Sequence, residues 1–180
     1  MKKITVICIV ILLLLAGCGI NTEKKTGFED FVYGMSRQEV RQKCEESRNF
    51  TYIPEIDENN EESLDIYYYR NGDTPVGALY EEIADPDESE LTVLFRFDEE
   101  SALIRIGVNM VAPEIDISVA ERLLTVFTEE FGEPEQIEPF EFFYYFAKQE
   151  ISLIYDTAGL SYGDLIAVRY GMPKPELDNQ

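Results

Sequence analysis

Short segments rich in aromatic and β-branched residues recur along most of the chain, and they limit its fold more than any other feature. We predict strands at 64–70, 76–83, 91–97, 102–111, 140–147, 150–156 and 164–170. The connections between them are short and turn-like, such as Asn71-Gly72-Asp73 and Lys148-Gln149. Because strands joined by short turns pair antiparallel, the sequence predicts an antiparallel sheet.

A first helix is predicted to start at Ser36. Ser36 and Glu39 have the spacing of a capping box, in which each side chain accepts a hydrogen bond from the other residue's backbone amide. The helix should run to about Arg48, with Val40 and Cys44 on its inner side. We expect Cys44 to be a small buried apolar residue and not a reactive thiol.

A second helix is predicted to open with another box, formed by Ser118 and Glu121. Its apolar residues recur at helical spacing and form one stripe, which contains Ala120, Leu123, Leu124, Phe127 and Phe131. Gly132 is placed to end this helix, and Pro134 prevents its continuation.

The predicted order is helix, four strands, helix, three strands. This order indicates an α+β fold in which helices pack on one face of the antiparallel sheet. It is also consistent with two tandem α-β-β-β units, at 28–112 and 113–172, within one domain at 28–175. Residues 176–180 are predicted to form a tail.

The N-terminus has the organisation of an export signal. Lys2 and Lys3 precede an uncharged run, 4–16, which is shorter than the roughly 20 residues of a membrane-spanning helix. Small residues then lead to Cys18. The string Leu15-Ala16-Gly17-Cys18 resembles the lipobox of bacterial lipoproteins.

This resemblance implies that residues 1–17 are removed and that Cys18 carries the acyl chains that hold the protein to a membrane. Residues 18–27 would then be the lipidated cysteine and a short polar tether. The expected location is the extracytoplasmic face of the cell membrane, or the outer membrane in an organism that has two. An ordinary cleaved signal with a chance cysteine is the alternative.

The start of the first helix carries a second resemblance. Gly34-Met35-Ser36 followed by Val40 is similar to the opening of small outer-membrane assembly lipoproteins of the SmpA/OmlA group. Those domains, like the β-lactamase-inhibitor-protein fold, place helices against an antiparallel sheet, and members with known roles bind other proteins. The chain departs from the pattern towards the end of this helix, where Cys44-Glu45-Glu46 stands in place of a Leu-Gly-x-Pro turn.

The chain is strongly acidic, with 36 acidic and 15 basic side chains and a formal net charge of −21. Nucleic acid is therefore not an expected partner, because its binding needs a basic surface. The same charge would repel an anionic membrane surface, so the lipid on Cys18 would have to supply the attachment. The acids favour solubility, cationic partners or divalent metals.

No complete catalytic or metal motif occurs in the sequence. The chain has no histidine, which removes the usual general base. The segment 159–163 matches Gly-x-Ser-x-Gly, but a strand is expected after it and not the helix that this motif requires. The acidic segments 57–62 and 85–90 lack the glycine and glutamate spacing of an EF-hand loop. We expect no cofactor, no defined metal site and no enzymatic activity.

The predicted strands suggest a binding face instead. When their residues are divided by alternation, the more polar side collects Tyr67, Tyr69, Arg96, Arg105, Phe143, Tyr145 and Arg169. Tyrosine and arginine are enriched at the energetically important positions of protein interfaces. We predict that this face binds a protein; the alternative is that the aromatics pack beneath loops and the arginines pair with acids across strands.

Three functions remain open at this point. The first is a non-catalytic interaction lipoprotein with a partner in the envelope or outside the cell. The second is a binder of a small ligand or cation, which would show a concave pocket with converging acids. The third is a carboxylate-dependent hydrolase, which would show two acids in a cleft.

Overall fold

The computed structural model describes residues 28–54, 63–83, 88–160 and 163–174, with 158–160 described in their backbone only. The described elements, in chain order, are α1 (Arg37–Glu46), β1 (Phe50–Tyr52), β2 (Leu64–Tyr69), α2 (Pro75–Ile83), β3 (Glu90–Phe97), β4 (Leu103–Ala112), α3 (Ile117–Phe131), β5 (Glu135–Gln136), β6 (Phe143–Phe146), β7 (Ile151–Leu160) and β8 (Gly163–Tyr170). The α+β prediction is confirmed.

The strands form one antiparallel sheet in the order β1-β2-β3-β4-β8-β7-β6-β5. The first four strands build one half of this sheet and the last four build the other. The halves join where β4 pairs with β8, and the two edges are the short strands β1 and β5. Each half begins with a helix, α1 or α3, and α2 is added between β2 and β3. That the halves are true repeats stays a prediction.

The three described helices contribute their apolar sides to the core on one face of the sheet. Their buried side chains include Val40 and Cys44 of α1, Val76 and Leu79 of α2, and Leu123 and Phe127 of α3. They belong to one cluster with side chains of β3, β4 and β8 that point to the same face, such as Val93, Val108 and Val168. The predicted burial of Cys44 is confirmed.

The start of α1 follows the prediction. Glu39 N donates to Ser36 Oγ at 3.3 Å, and Ser36 N donates to Glu39 Oε2 at 2.8 Å. These two bonds satisfy amides that have no partner within the helix. A capping box joins two residues that are three positions apart, so this helix start could be predicted from the sequence.

The start of α3 differs from the prediction. Asp116 is the N-cap, because its Oδ1 accepts a hydrogen bond from Ser118 N at 2.8 Å. The box predicted at Ser118 and Glu121 is therefore wrong. An aspartate at this position both caps the amide and complements the positive end of the helix dipole. The predicted end of the helix is confirmed, since Gly132 takes a left-handed φ of 89°.

The strand predicted at 76–83 is also wrong, because this segment is the helix α2. Pro75 occupies its first position, where a missing N–H costs nothing. Thr74 Oγ1 accepts a hydrogen bond from Gly77 N at 3.2 Å and caps the helix. Val76 and Leu79, three residues apart, both reach the core. The short strands β1 and β5 were not predicted.

Candidate functional site

The face of the sheet opposite the helices is the candidate functional surface. Residues that are directly paired across antiparallel strands point to the same side, so the register defines this face. We call it the open face, and three of its rows are Leu64, Arg96 and Arg105; Ile66, Leu94, Gly107, Arg169, Ser152 and Tyr145; and Tyr68, Thr92, Asn109, Ala167, Ile154 and Phe143. None of the described helices packs on it.

Five of the seven predicted interface residues share the open face, and two do not. Arg96, Arg105, Phe143, Tyr145 and Arg169 lie in its rows. The other two belong to the helix-covered core.

The placement predicted for Tyr67 and Tyr69 is wrong. Their side chains are 4% and 1% exposed and point to the core side of β2. Tyr68, between them, is 41% exposed on the open face. The prediction had placed the polar side of this strand outward, and Asp65 was part of that polar side.

A buried ion cluster explains why the polar side of β2 turns inward. Asp65 has a fully buried side chain that accepts hydrogen bonds from Arg37 Nε at 3.0 Å and Nη2 at 2.6 Å. It also accepts bonds from Arg41 Nε at 2.8 Å and Nη2 at 2.7 Å. Burial alone would raise the pKa of this carboxyl, but the hydrogen bonds from Arg41 and Arg37 outweigh it, and the pKa is lowered. The carboxylate is therefore ionised inside the fold.

Arg169 occupies the middle of the open face, at the junction of the two halves. It stands opposite Gly107, and a Cβ on that glycine would lie 3.4 Å from Arg169 Nη1. Arg169 Nη1 donates to the carbonyl oxygens of Val168 at 3.1 Å and Val108 at 3.4 Å. Burial lowers the pKa of this guanidinium. Within the described ranges no carboxylate pairs with it.

Arg96 and Arg105 lie next to this position. They are directly opposite each other on β3 and β4, beside the irregularity that follows Arg96. Arg105 makes no hydrogen bond or ion pair with another residue in the described part of the chain. Three arginines on neighbouring strands thus place positive charge on one face of an acidic protein.

Phe143 and Tyr145 are on the open face but are covered. They form a small cluster with Ile137, and the ring of Phe140 lies 5.7 Å from that of Phe143. Their side chains are 7% and 4% exposed. These two aromatics therefore pack beneath the loop before β6, which is the alternative to an exposed binding face.

The exposed apolar side chains of the open face were not predicted as part of the site. Leu64 and Ile66 are partly exposed beside Tyr68, on the side of β2 that the sequence indicated as buried. Leu94 is also partly exposed and lies on the same side of β3 as Arg96, which was expected to be open. The two sides of β2 are thus exchanged relative to the prediction. Only the pairing of Asp65 with two arginines, 24 and 28 residues away, could have shown this exchange.

Several predicted features lie outside the described residues: Cys18 with the rest of 1–27, the acidic segment 57–62, residues 84–87 and Ser161. The strands on either side of 161–162, β7 and β8, pair with each other, and β8 is the strand that was expected after this segment. Among the described residues, no group of three or more acids, cysteines or histidines could hold a metal ion. None of the described helices combines the length and hydropathy needed to cross a bilayer.

Comparison of the chain with known protein families, curated proteins and solved structures gives no match.

Proposed function

We propose that the protein is a lipoprotein, anchored through Cys18 at the extracytoplasmic side of a membrane, and that it acts as a non-catalytic interaction module. Its partner is another envelope or extracellular protein, which binds the open face. The observation that carries this proposal is the asymmetry of the sheet. The described helices cover one face, while the other combines apolar side chains with arginines.

The apolar part of the open face supports the proposal. Tyr68 is 41% exposed, and Leu64, Ile66 and Leu94 around it are partly exposed. A contiguous apolar area on a sheet face costs free energy in water, and such areas commonly mark binding surfaces. Covering these side chains with a partner would remove this cost.

The charge of the open face indicates the chemistry of the partner. Arg105 and Arg169 make no ion pair with the described acids, although the chain has 36 acidic side chains. A partner with carboxylates around an apolar centre would be complementary to this face. Arginine is well suited to this contact because its guanidinium can bind a carboxylate through two hydrogen bonds.

A photo-crosslinking amino acid at position 68 tests the site in living cells. The matched control position is Val126, which is 36% exposed on α3, on the helix-covered side. We expect one defined envelope or extracellular protein to be captured from position 68 and not from position 126. Equal capture from both positions, or none, would refute the proposal.

The captured protein is then purified and its affinity measured with two charge-reversal variants. Arg105→Glu places an acid on the open face, whereas Arg48→Glu makes the same charge change at an exposed position after α1. We expect Arg105→Glu to weaken binding at least about tenfold, equivalent to roughly 1.4 kcal/mol, and Arg48→Glu to leave it unchanged. If both variants weaken binding equally, net charge and not the open face governs the interaction.

The anchor is tested separately. We expect the Cys18→Ser variant to leave the membrane fraction, and the wild-type protein to carry acyl chains on its first residue when examined by mass spectrometry. Retention of Cys18→Ser in the membrane, or a purified protein that keeps residues 1–17, would contradict the lipoprotein proposal without affecting the open face.

A further inference from the structure

A separate cavity lies on the helix-covered side of the sheet, opposite the open face. It has a volume of about 300 Å³, which is at the small end of the range for ligand sites. The turn at 28–30, α2, α3 and the turn between β6 and β7 each contribute to its wall. Four aromatic rings line it: those of Phe28, Phe127, Phe131 and Tyr170.

The charged side chains that line this cavity are both carboxylates, which can only accept hydrogen bonds when ionised. Glu29 and Glu130 contribute carboxylates, and no lysine or arginine is among the lining residues. Gln149 also lines the cavity, and its side-chain oxygen Oε1 is buried without a hydrogen-bond partner in the described part of the chain. A buried acceptor without a donor is unfavourable, so a bound donor would stabilise it.

Glu29 is held in a fixed orientation. Its Oε1 accepts hydrogen bonds from Tyr69 Oη at 2.5 Å and Asn71 Nδ2 at 2.7 Å. Both donors use the same carboxylate oxygen, and no described residue donates to Oε2. The carboxylate therefore keeps free acceptor capacity while its position is set by two neighbours.

The backbone on two sides of the cavity adopts a conformation that side-chain-bearing residues seldom take. Glu29 has a φ of 51°, and Glu150, next to Gln149, has a φ of 56°. Such left-handed residues are held in place by the surrounding structure and are concentrated at functional sites. Glu130, by contrast, stays exposed and lies on an ordinary helix.

We propose that this cavity binds a small organic ammonium ion. The ammonium group has three N–H donors. They would donate to the carboxylates of Glu29 and Glu130 and to the side-chain carbonyl oxygen of Gln149, all of which accept hydrogen bonds. The apolar body would lie against the aromatic rings, whose faces attract cations. A divalent metal fits less well, since it requires six or more oxygen ligands, or a bound water shell that aromatic rings cannot stabilise.

The negative charge of Glu130 also acts on Tyr170, another lining residue of the cavity. Burial raises the pKa of its hydroxyl, and the negative charge of Glu130 raises it further. The carboxylate of Glu130 therefore acts on the interior of the cavity although the residue itself is exposed. A cation in the cavity would reduce this negative potential.

Two probes of the same shape test the proposal on the full-length chain in a neutral detergent. Benzylamine carries an ammonium group at neutral pH, and benzyl alcohol is its uncharged counterpart. We expect isothermal titration calorimetry to show benzylamine binding at least about tenfold more tightly than benzyl alcohol. Equal binding of the two probes, or no benzylamine binding below roughly 10 mM, would overturn the proposal.

Two variants on α3 then locate the site. Glu130→Gln removes a lining carboxylate, while Glu129→Gln removes the same charge from the neighbouring helical position, which does not line the cavity. We expect Glu130→Gln to weaken benzylamine binding several-fold and Glu129→Gln to have no effect. Both glutamates are exposed, so thermal unfolding should be unchanged and should show that each variant folds. Equal weakening by both variants would refute the assignment to this cavity.

Discussion

Replacing Asp65 by asparagine tests the account of why β2 turns its polar side inward. The side chain of Asp65 is fully buried and accepts four hydrogen bonds of 2.6–3.0 Å from Arg37 and Arg41. Asparagine keeps the shape and one acceptor oxygen but removes the charge. The two arginines would then face a neutral amide.

The structure sets the size of the effect. Breaking a buried ion pair by removing one partner typically costs 3–5 kcal/mol, because a charge is left buried without compensation. Here the side chains of Arg37 and Arg41 are 23% and 41% exposed, so water can partly replace the carboxylate. We therefore expect Asp65→Asn to lower the free energy of unfolding by about 2–3 kcal/mol at pH 7.

The effect should depend on pH. The hydrogen bonds from the arginines hold the folded-state pKa of Asp65 below the ordinary value of about 3.9. Its stabilisation is thus present above that ordinary value and is lost as the pH falls through the lower folded-state pKa. The difference between wild type and Asp65→Asn should be full at pH 7 and should shrink below about pH 4.

Urea unfolding followed by circular dichroism measures both quantities, with Asp73→Asn as a control at an exposed position. We expect the control to change the free energy of unfolding by less than about 0.5 kcal/mol. An Asp65→Asn variant as stable as the control, or one whose loss of stability were the same at pH 7 and pH 3, would refute this role of the ion cluster.

Two further predictions concern single positions. Gly77→Ala should destabilise the protein by more than about 2 kcal/mol in urea unfolding, because its Cβ would lie 1.9 Å from the carbonyl oxygen of Asn71. Gly132→Ala has open space and should lose only about 1 kcal/mol through its left-handed φ, so the opposite ranking would contradict the structure. Burial raises the pKa of the Cys44 thiol to about 12, so iodoacetamide at pH 8 should label Cys44, as read by mass spectrometry, only after unfolding. Rapid labelling of the folded chain would show that this helix does not pack as described.

Much of the fold could be predicted because its determinants are local. The capping box at Ser36 and Glu39 and the glycine at 132 depend on neighbours within one helical turn. The alternating pattern of β3 reflects burial of one side of that strand. α2 was missed because its Val76 and Leu79 sit in a short apolar segment, in which strand and helix patterns cannot be told apart without the cap at Thr74.

The candidate sites depended on contacts that the sequence does not reveal. Polarity suggested that the side of β2 carrying Asp65 faces water, but two arginines from α1 allow the carboxylate to be buried. The cavity could not be predicted either, because it brings Glu29 and Gln149 together from positions 120 residues apart. Sequence patterns indicate local preferences for helix, strand and burial. These sites arise instead from contacts between residues that are distant in sequence.

The order of the strands has a consequence for how the chain acquires its structure. β8 is the last described strand, yet it lies in the middle of the sheet, between β4 and β7. Val108 of β4 pairs with Val168 of β8, about 60 positions further along the chain. Because the chain is synthesised from its first residue onward, β4 is made well before the strand it pairs with. Such distant pairing slows folding. Until those final residues arrive, the unpaired backbone of β4 can pair with another molecule, so we expect truncation within β8 to cause aggregation.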